Sequence, residues 1–246
     1  MPGTIADITT PDGVADAYVS LPDDEFHPGV LFLMDAYGLR PTIEEMVDRI
    51  AASGYFVLAP NLFYRAGRDA IPRPLPDLTD PKQRTELWQS LMPMIQELTP
   101  DRIAGDGGAF LDYLKQFVTP GPMAITGYCM GARVGWRMAT AHPDRVGALA
   151  GFHAGGLVTD APDSPHRSAG ELKAELYFGF ADQDRSMSAE QIAELERALD
   201  EAGVRYRSEV YVGAQHGYTM ADTPSHDDAA RERHFKELGE LLKRAL

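Results

Sequence analysis

The sequence predicts an α/β protein with a mostly parallel sheet and helices on both faces. Two observations carry this. Short β-like apolar runs alternate along the chain with amphipathic helical stretches, and several of those runs are nearly continuously apolar, as strands buried on both faces are. The candidate strands are 15–21, 29–34, 55–59, 123–128, 148–153, 174–179 and 207–212. Between them lie helices with readable ends. Pro41 opens one, with Glu44 and Glu45 in its first turn and a stripe of Ile43, Met46, Val47, Ile50 and Ala51 before Gly54. A second starts after Thr99-Pro100-Asp101 and runs to about Phe117, and a third occupies Ala132 to Ala141, stopped by His142-Pro143. A fourth has Ser188 as N-cap with Gln191 three residues on, a capping-box pattern, then Ile192, Leu195 and Leu199, and ends at Gly203. The last runs from about Asp227 to Leu242. The stretch 61–80, rich in proline and carrying Arg65, Arg68 and Arg73, reads as a surface excursion at the end of a strand.

The 246 residues suit a single domain over 1–246, long enough to bury a core without disulfides or metal. Hydrophobic residues make up 44% and charged residues 24%, so disorder is not expected. A net charge of −14 argues against nucleic acid and anionic membranes as partners. No apolar stretch approaches the roughly 18 residues of a membrane span, and the start lacks the basic and apolar regions of a signal peptide. The single cysteine, Cys129, excludes an internal disulfide and a cysteine metal cluster; a cytoplasmic setting is expected. Nothing in the composition points to an oligomeric state.

The chemistry concentrates at Gly127-Tyr128-Cys129-Met130-Gly131, which follows an apolar strand and opens a helix. A nucleophile between two glycines in a strand–turn–helix context is a nucleophile elbow. The turn is sharp, so side chains two residues either side of the nucleophile would collide. It also lifts the nucleophile to a helix N-terminus, where free N–H groups and a partial positive charge favour a thiolate and an oxyanion. A free cysteine is also commonly an inert, buried hydrophobe; the elbow context favours the catalytic reading. In such a fold the partners follow in the order acid, then histidine. His216, in a Gly-flanked loop just after a strand, is the expected base, and His153, at the end of an earlier strand, is the second candidate. For the acid, Asp182 and Asp184 both follow the strand before that of His216 and compete.

A cysteine in the elbow, with aspartate and histidine at these places, resembles the dienelactone hydrolase family of α/β-hydrolases, over most of the chain. The resemblance implies a hydrolase of esters or lactones with a Cys-His-Asp triad, a thioester acyl-enzyme and no cofactor or metal. The family's Gly-x-x-Asp appears as Gly179-Phe180-Ala181-Asp182 and selects Asp182; its histidine stretch corresponds to Gln215-His216-Gly217-Tyr218. Asp35-Ala36-Tyr37-Gly38 stands where the family has a Glu-x-Phe-Gly-like motif, which makes Asp35 a further catalytic candidate. By the same resemblance Ala36 and Met130 give the oxyanion-hole N–H groups. Pro60-Asn61-Leu62-Phe63-Tyr64-Arg65 resembles a Pro-[Asp/Asn]-Leu-Tyr run of the family, and Trp88 a pocket tryptophan. Tyr37, Arg84, Tyr128 and His153 complete the expected substrate-binding set. No arginine follows His216 where one would bind a substrate carboxylate; Arg84 and Arg65 are the candidates for that task. The alternative to an enzyme is a redox-sensing or ligand-binding protein on a hydrolase scaffold, with Cys129 as sensor or inert thiol.

Overall fold

The computed structural model describes residues 3–246; Met1 and Pro2, where the sequence reading looked for a leader, lie outside the described residues. Eight strands form one sheet. In chain order they are β1 (Thr4–Thr10), β2 (Gly13–Ser20), β3 (Gly29–Leu33), β4 (Phe56–Pro60), β5 (Met123–Tyr128), β6 (Val146–Phe152), β7 (Glu175–Gln183) and β8 (Tyr206–Gln215). Their spatial order is β1-β2-β4-β3-β5-β6-β7-β8. β1 and β2 are antiparallel, as are β2 and β4, and every other pairing is parallel. The mostly parallel sheet is therefore as expected, with an antiparallel edge. β3, β4 and β5 are buried at every position, which is why they read as continuous apolar runs.

Six α-helices cover the sheet: α1 (Pro41–Ala51), α2 (Pro81–Gln96), α3 (Pro100–Leu114), α4 (Met130–Ala141), α5 (Ala189–Ala202) and α6 (Asp228–Ala245). α1 and α6 are tied together by the ion pairs Arg49–Glu232 and Arg231–Glu45. α3 and α4 pack together on the opposite face, and a 3₁₀ segment, Pro165–Glu171, joins α4 to α5. The expected caps are present. Ser188 and Gln191 form the capping box of α5, and Gly203 ends it with a left-handed φ of 66°. Thr99 caps α3 and Asp227 caps α6.

Two elements escaped the sequence reading. β1 is a mostly exposed edge strand that buries only Ile8 and Thr10, without a buried apolar run. α2 buries only Leu87 and Leu91 and contains Pro93, so its amphipathic signal is faint. Within 61–80 the only regular element is the 3₁₀ turn Tyr64–Ala66. Several strands also run longer than expected; β7 continues to Gln183, four residues past Gly179. That extension decides which aspartate reaches His216.

Candidate active site

The elbow is built as the glycines require. A Cβ on Gly127 would lie 2.3 Å from the Gly131 carbonyl oxygen, and one on Gly131 would lie 2.3 Å from the Leu33 carbonyl oxygen. No side chain fits either gap. Cys129 itself has φ 54° and ψ −116° and is partly exposed. Among the described residues only Cys129 and His153 are non-glycine residues at positive φ. Such conformations store strain and cluster at functional sites. The two residues end neighbouring strands, where the Cys129 N–H donates to the Phe152 carbonyl at 3.1 Å.

Cys129, His216, His153, Asp35, Ala36, Tyr37, Arg84 and Trp88 line one cavity of about 330 Å³, together with Leu78, Ser186 and the segment after His216. The structure thus gathers parts that lie up to 190 positions apart in the chain. The cavity is of a size that takes a small organic substrate.

His216 Nδ1 stands 2.6 Å from Asp184 Oδ2, and the Asp184 side chain is 2% exposed. The other oxygen of Asp184 accepts from the Ser186 N–H at 2.7 Å. The expected acid, Asp182, is displaced from that place: it is exposed, and its carboxylate accepts from the Gly213 N–H at 2.9 Å. This corrects the choice of Asp182. The physical reason is the end of β7. The Gly-x-x-Asp count places Asp182 beyond the strand, but the strand persists through Gln183, and β8 bulges opposite it. Ala181 pairs with Tyr211, whereas Gln183 pairs with Gln215. Asp182 is used to hold the bulge at Gly213 (φ 80°), and Asp184 is the first carboxylate past the strand end.

Burial by itself lowers the affinity of His216 for a proton. The charge of a Cys129 thiolate, the hydrogen bond to Asp184 and a hydrogen bond to Cys129 outweigh it and push the pKa up to about 10. The arrangement therefore favours the protonated ring of His216.

Asp35 reaches the cavity, but its oxygens are already engaged. Oδ1 accepts from Arg40 Nη1 at 2.7 Å and from the Tyr37 N–H at 3.0 Å, and Oδ2 accepts from Arg40 Nη2 at 3.0 Å. Burial opposes the charge on Arg40, but Asp35 and Asp222 hold it firmly protonated. The Tyr37 and Gly38 amides are spent on Asp35, whereas no group among the described residues accepts from the Ala36 N–H. Met130 is the first residue of α4, so its N–H has no partner within the helix. The two amides expected at an oxyanion hole are therefore open donors beside the elbow.

His153 is fully buried, with Nε2 2.7 Å from Thr219 Oγ1 and its ring edge-on to that of His216 at 5.2 Å. Burial, then the positive charge of His216, pushes its pKa well down, so it is a neutral imidazole. Tyr128 is the second correction. It is fully buried on the opposite side of the sheet, stacked on Phe32 with ring centres 4.6 Å apart, and its hydroxyl lies 3.2 Å from His234 Nε2 under α6. Strand alternation sends Tyr128 away from the face that its neighbour Cys129 reaches. Arg65 is likewise removed from the site by Asp106 and Asp12, which hold its guanidinium. Arg84 has no acidic partner among the described residues, and its Nη1 donates to the Leu78 carbonyl at 3.0 Å. Sequence reasoning missed Arg40, Thr219 and Asp222. None sits in a recognisable local pattern; each matters through a contact made in space.

Among the described residues no group of three or more His, Cys, Asp and Glu is placed to hold a metal, and no helix is long and apolar enough to cross a membrane.

Comparison with known proteins agrees with this architecture. A carboxymethylenebutenolidase homolog of Mus musculus is 26% identical over 225 residues, covering 87% of this chain and 83% of the relative. The protein usf of Aquifex pyrophilus is 24% identical over 196 residues, covering 78% and 76%. Among solved structures, the dienelactone hydrolase-like promiscuous phosphotriesterase P91 from metagenomic libraries superposes with a TM-score of 0.78 at 17% identity, covering 100% of this chain and 99% of that one. A structure titled m3DLH gives 0.80 at 20% identity, covering 99% and 98%. Residues 15–246 match the profile of the dienelactone hydrolase family, and the chain belongs to that family.

Proposed function

We propose that this protein hydrolyses a carboxylic ester or lactone through a thioester on Cys129. The observation that carries the reading is that Cys129 and His216 line one cavity, with buried Asp184 bonded to His216 at 2.6 Å. Membership of the dienelactone hydrolase family and likeness to a carboxymethylenebutenolidase homolog support the same class of substrate.

The Cys129 thiolate attacks the substrate carbonyl carbon. A C–S bond forms and the carbonyl π pair moves onto oxygen, which the Ala36 and Met130 amides receive. One such donor is typically worth about 3–4 kcal/mol at the transition state. Collapse breaks the bond to the leaving oxygen, which takes the His216 proton and departs as alcohol or enol. His216, now neutral and held by Asp184, takes a proton from water as the water oxygen attacks the thioester. The C–S bond breaks, the acid is released and the thiolate–imidazolium pair is restored. A lactone follows the same path, with its leaving oxygen still attached to the acyl chain. No step requires a metal or cofactor. Arg84, a cavity-lining cation without an acidic partner among the described residues, would take a carboxylate on the substrate if it carries one; Tyr37 and Trp88 supply apolar walls.

A panel of ester and lactone substrates, tested with the wild type beside Cys129→Ala, examines the reading. Turnover is expected for the wild type and abolished in the folded variant. Equal turnover in both would remove the thiol mechanism. No turnover of any ester would favour the redox-sensing or ligand-binding alternative.

A further inference from the structure

Around the cavity one charged network is left unused by the triad. Arg40 stands at the N-cap of α1 and is 3% exposed. Its guanidinium is clasped on two edges. Nη1 and Nη2 donate to Asp35 at 2.7 and 3.0 Å, and Nε and Nη2 donate to Asp222 at 2.6 and 3.2 Å. Nη1 also donates to the Gly38 carbonyl at 3.1 Å. A planar five-donor fork used this fully has little freedom to shift.

The acceptors belong to two chain segments that both contribute to the cavity lining. Asp35 and Gly38 bracket the turn that presents the Ala36 N–H and Tyr37. Asp222 belongs to the segment after His216, whose Met220, Thr223 and Ser225 also line the cavity. Arg40 therefore ties the two cavity-lining segments together from one side chain. A buried ion network of this kind is weak evidence for stability, because an apolar replacement often serves as well; fixing a geometry is the better-attested use. The geometry at stake is that of the turn. An oxyanion donor must sit within about 2.7–3.1 Å of the developing charge, and a displacement of about 1 Å is costly to the rate.

We propose that Arg40 and Asp222 are positioning residues: through Asp35 they hold the Ala36 amide in register with the Met130 amide, so that a strap between the two cavity-lining segments sets the oxyanion hole. This rests on the thiol-hydrolase reading above. It gives Asp35, the further catalytic candidate, a positioning task, since both of its oxygens already accept hydrogen bonds.

Two reactions at Cys129 separate the hole from the nucleophile. With iodoacetamide the sulfur bonds to the methylene carbon and iodide leaves, with no oxyanion formed. With butanal the sulfur bonds to the carbonyl carbon, and the oxygen that gains the π pair sits in the hole or takes the His216 proton, giving a reversible hemithioacetal. Butanal affinity is read as protection of Cys129 against iodoacetamide. In Asp222→Ala the alkylation rate is expected to stay within twofold of wild type, while the half-protecting butanal concentration rises about tenfold and kcat for an ester falls by a similar factor. Asp222→Asn, which keeps an acceptor for the guanidinium, is expected to lie between. Unchanged butanal protection in folded Asp222→Ala overturns the proposal, as does no protection of the wild type. An equal loss in alkylation and protection overturns it too, by placing the effect on the thiolate. Ester turnover surviving in Cys129→Ala would instead remove the thiol reading, a result independent of these.

Discussion

Asp184 holds His216 and Asp182 does not, although the two carboxylates are two residues apart. The bond from His216 Nδ1 to Asp184 Oδ2 is 2.6 Å, and Asp184 is fixed in turn by the Ser186 amide. A carboxylate in this position orients the imidazole and stabilises the imidazolium.

Replacing Asp184 by Asn is accordingly expected to lower kcat/KM by about 10²–10⁴-fold. Asp182→Asn, which touches only the exposed bulge at Gly213, is expected to stay within about threefold of wild type, on the scale of a surface change. Steady-state assay of both variants with one ester checks this. A larger loss in Asp182→Asn would refute the assignment.

The raised pKa of His216 has a consequence for pH. The folded value lies above the usual 6.5, so the group contributes stability that is fully present below about pH 6.5 and is lost as the pH rises through about 10. The melting temperature of His216→Ala is expected to fall below wild type most at pH 6, with the gap closing toward pH 10. Iodoacetamide alkylation of Cys129 at pH 7 is expected to slow in the same variant, because the imidazolium partner is gone. Thermal melts across pH, with alkylation followed by mass, test both.

His234 works in the opposite sense. It is fully buried under the sheet, and its pKa is lowered to about 3, first by burial. Its Nδ1 faces the Arg231 carbonyl and its Nε2 the Tyr128 hydroxyl, so it stays neutral when folded. Below about pH 6.5 the unfolded chain takes up a proton that the folded chain refuses. Stability therefore falls as pH drops from about 6.5 toward 3, by up to about 1.4 kcal/mol per pH unit for one such group. His234→Gln is expected to be less stable at pH 7 and to show a shallower acid slope. Urea unfolding at pH 7, 6 and 5 measures it; an unchanged slope would show that His234 is not the proton acceptor.

Arg84→Ala is expected to raise KM for a carboxylate-bearing ester about tenfold or more, with KM for its neutral methyl ester unchanged within a factor of two. The scale is that of one charge-assisted hydrogen bond. Arg65→Ala, whose guanidinium is held by Asp106 and Asp12, is expected to leave both values alone. A parallel rise for both esters in Arg84→Ala would mean that Arg84 shapes the wall and does not bind charge.

The sequence by itself determined what depends on neighbours in the chain. The buried strands announce themselves because β3, β4 and β5 lie between two layers of helices and are filled mostly by apolar side chains. The elbow is legible because its two glycines answer a local steric demand, with a Cβ at either meeting backbone at 2.3 Å. The caps of α5 and the place of His216 after a strand are local in the same way. The tertiary structure decided what depends on strand length, on face and on distant charge. The end of β7 and the bulge in β8 chose Asp184 over Asp182, because pairing with a neighbouring strand, not the residues of β7 alone, sets where a strand stops. Strand alternation turned Tyr128 toward His234 while Cys129 faced the cavity. Arg40 found Asp222 across 182 positions of chain, a pairing fixed only when the two loops meet at the carboxyl edge of the sheet.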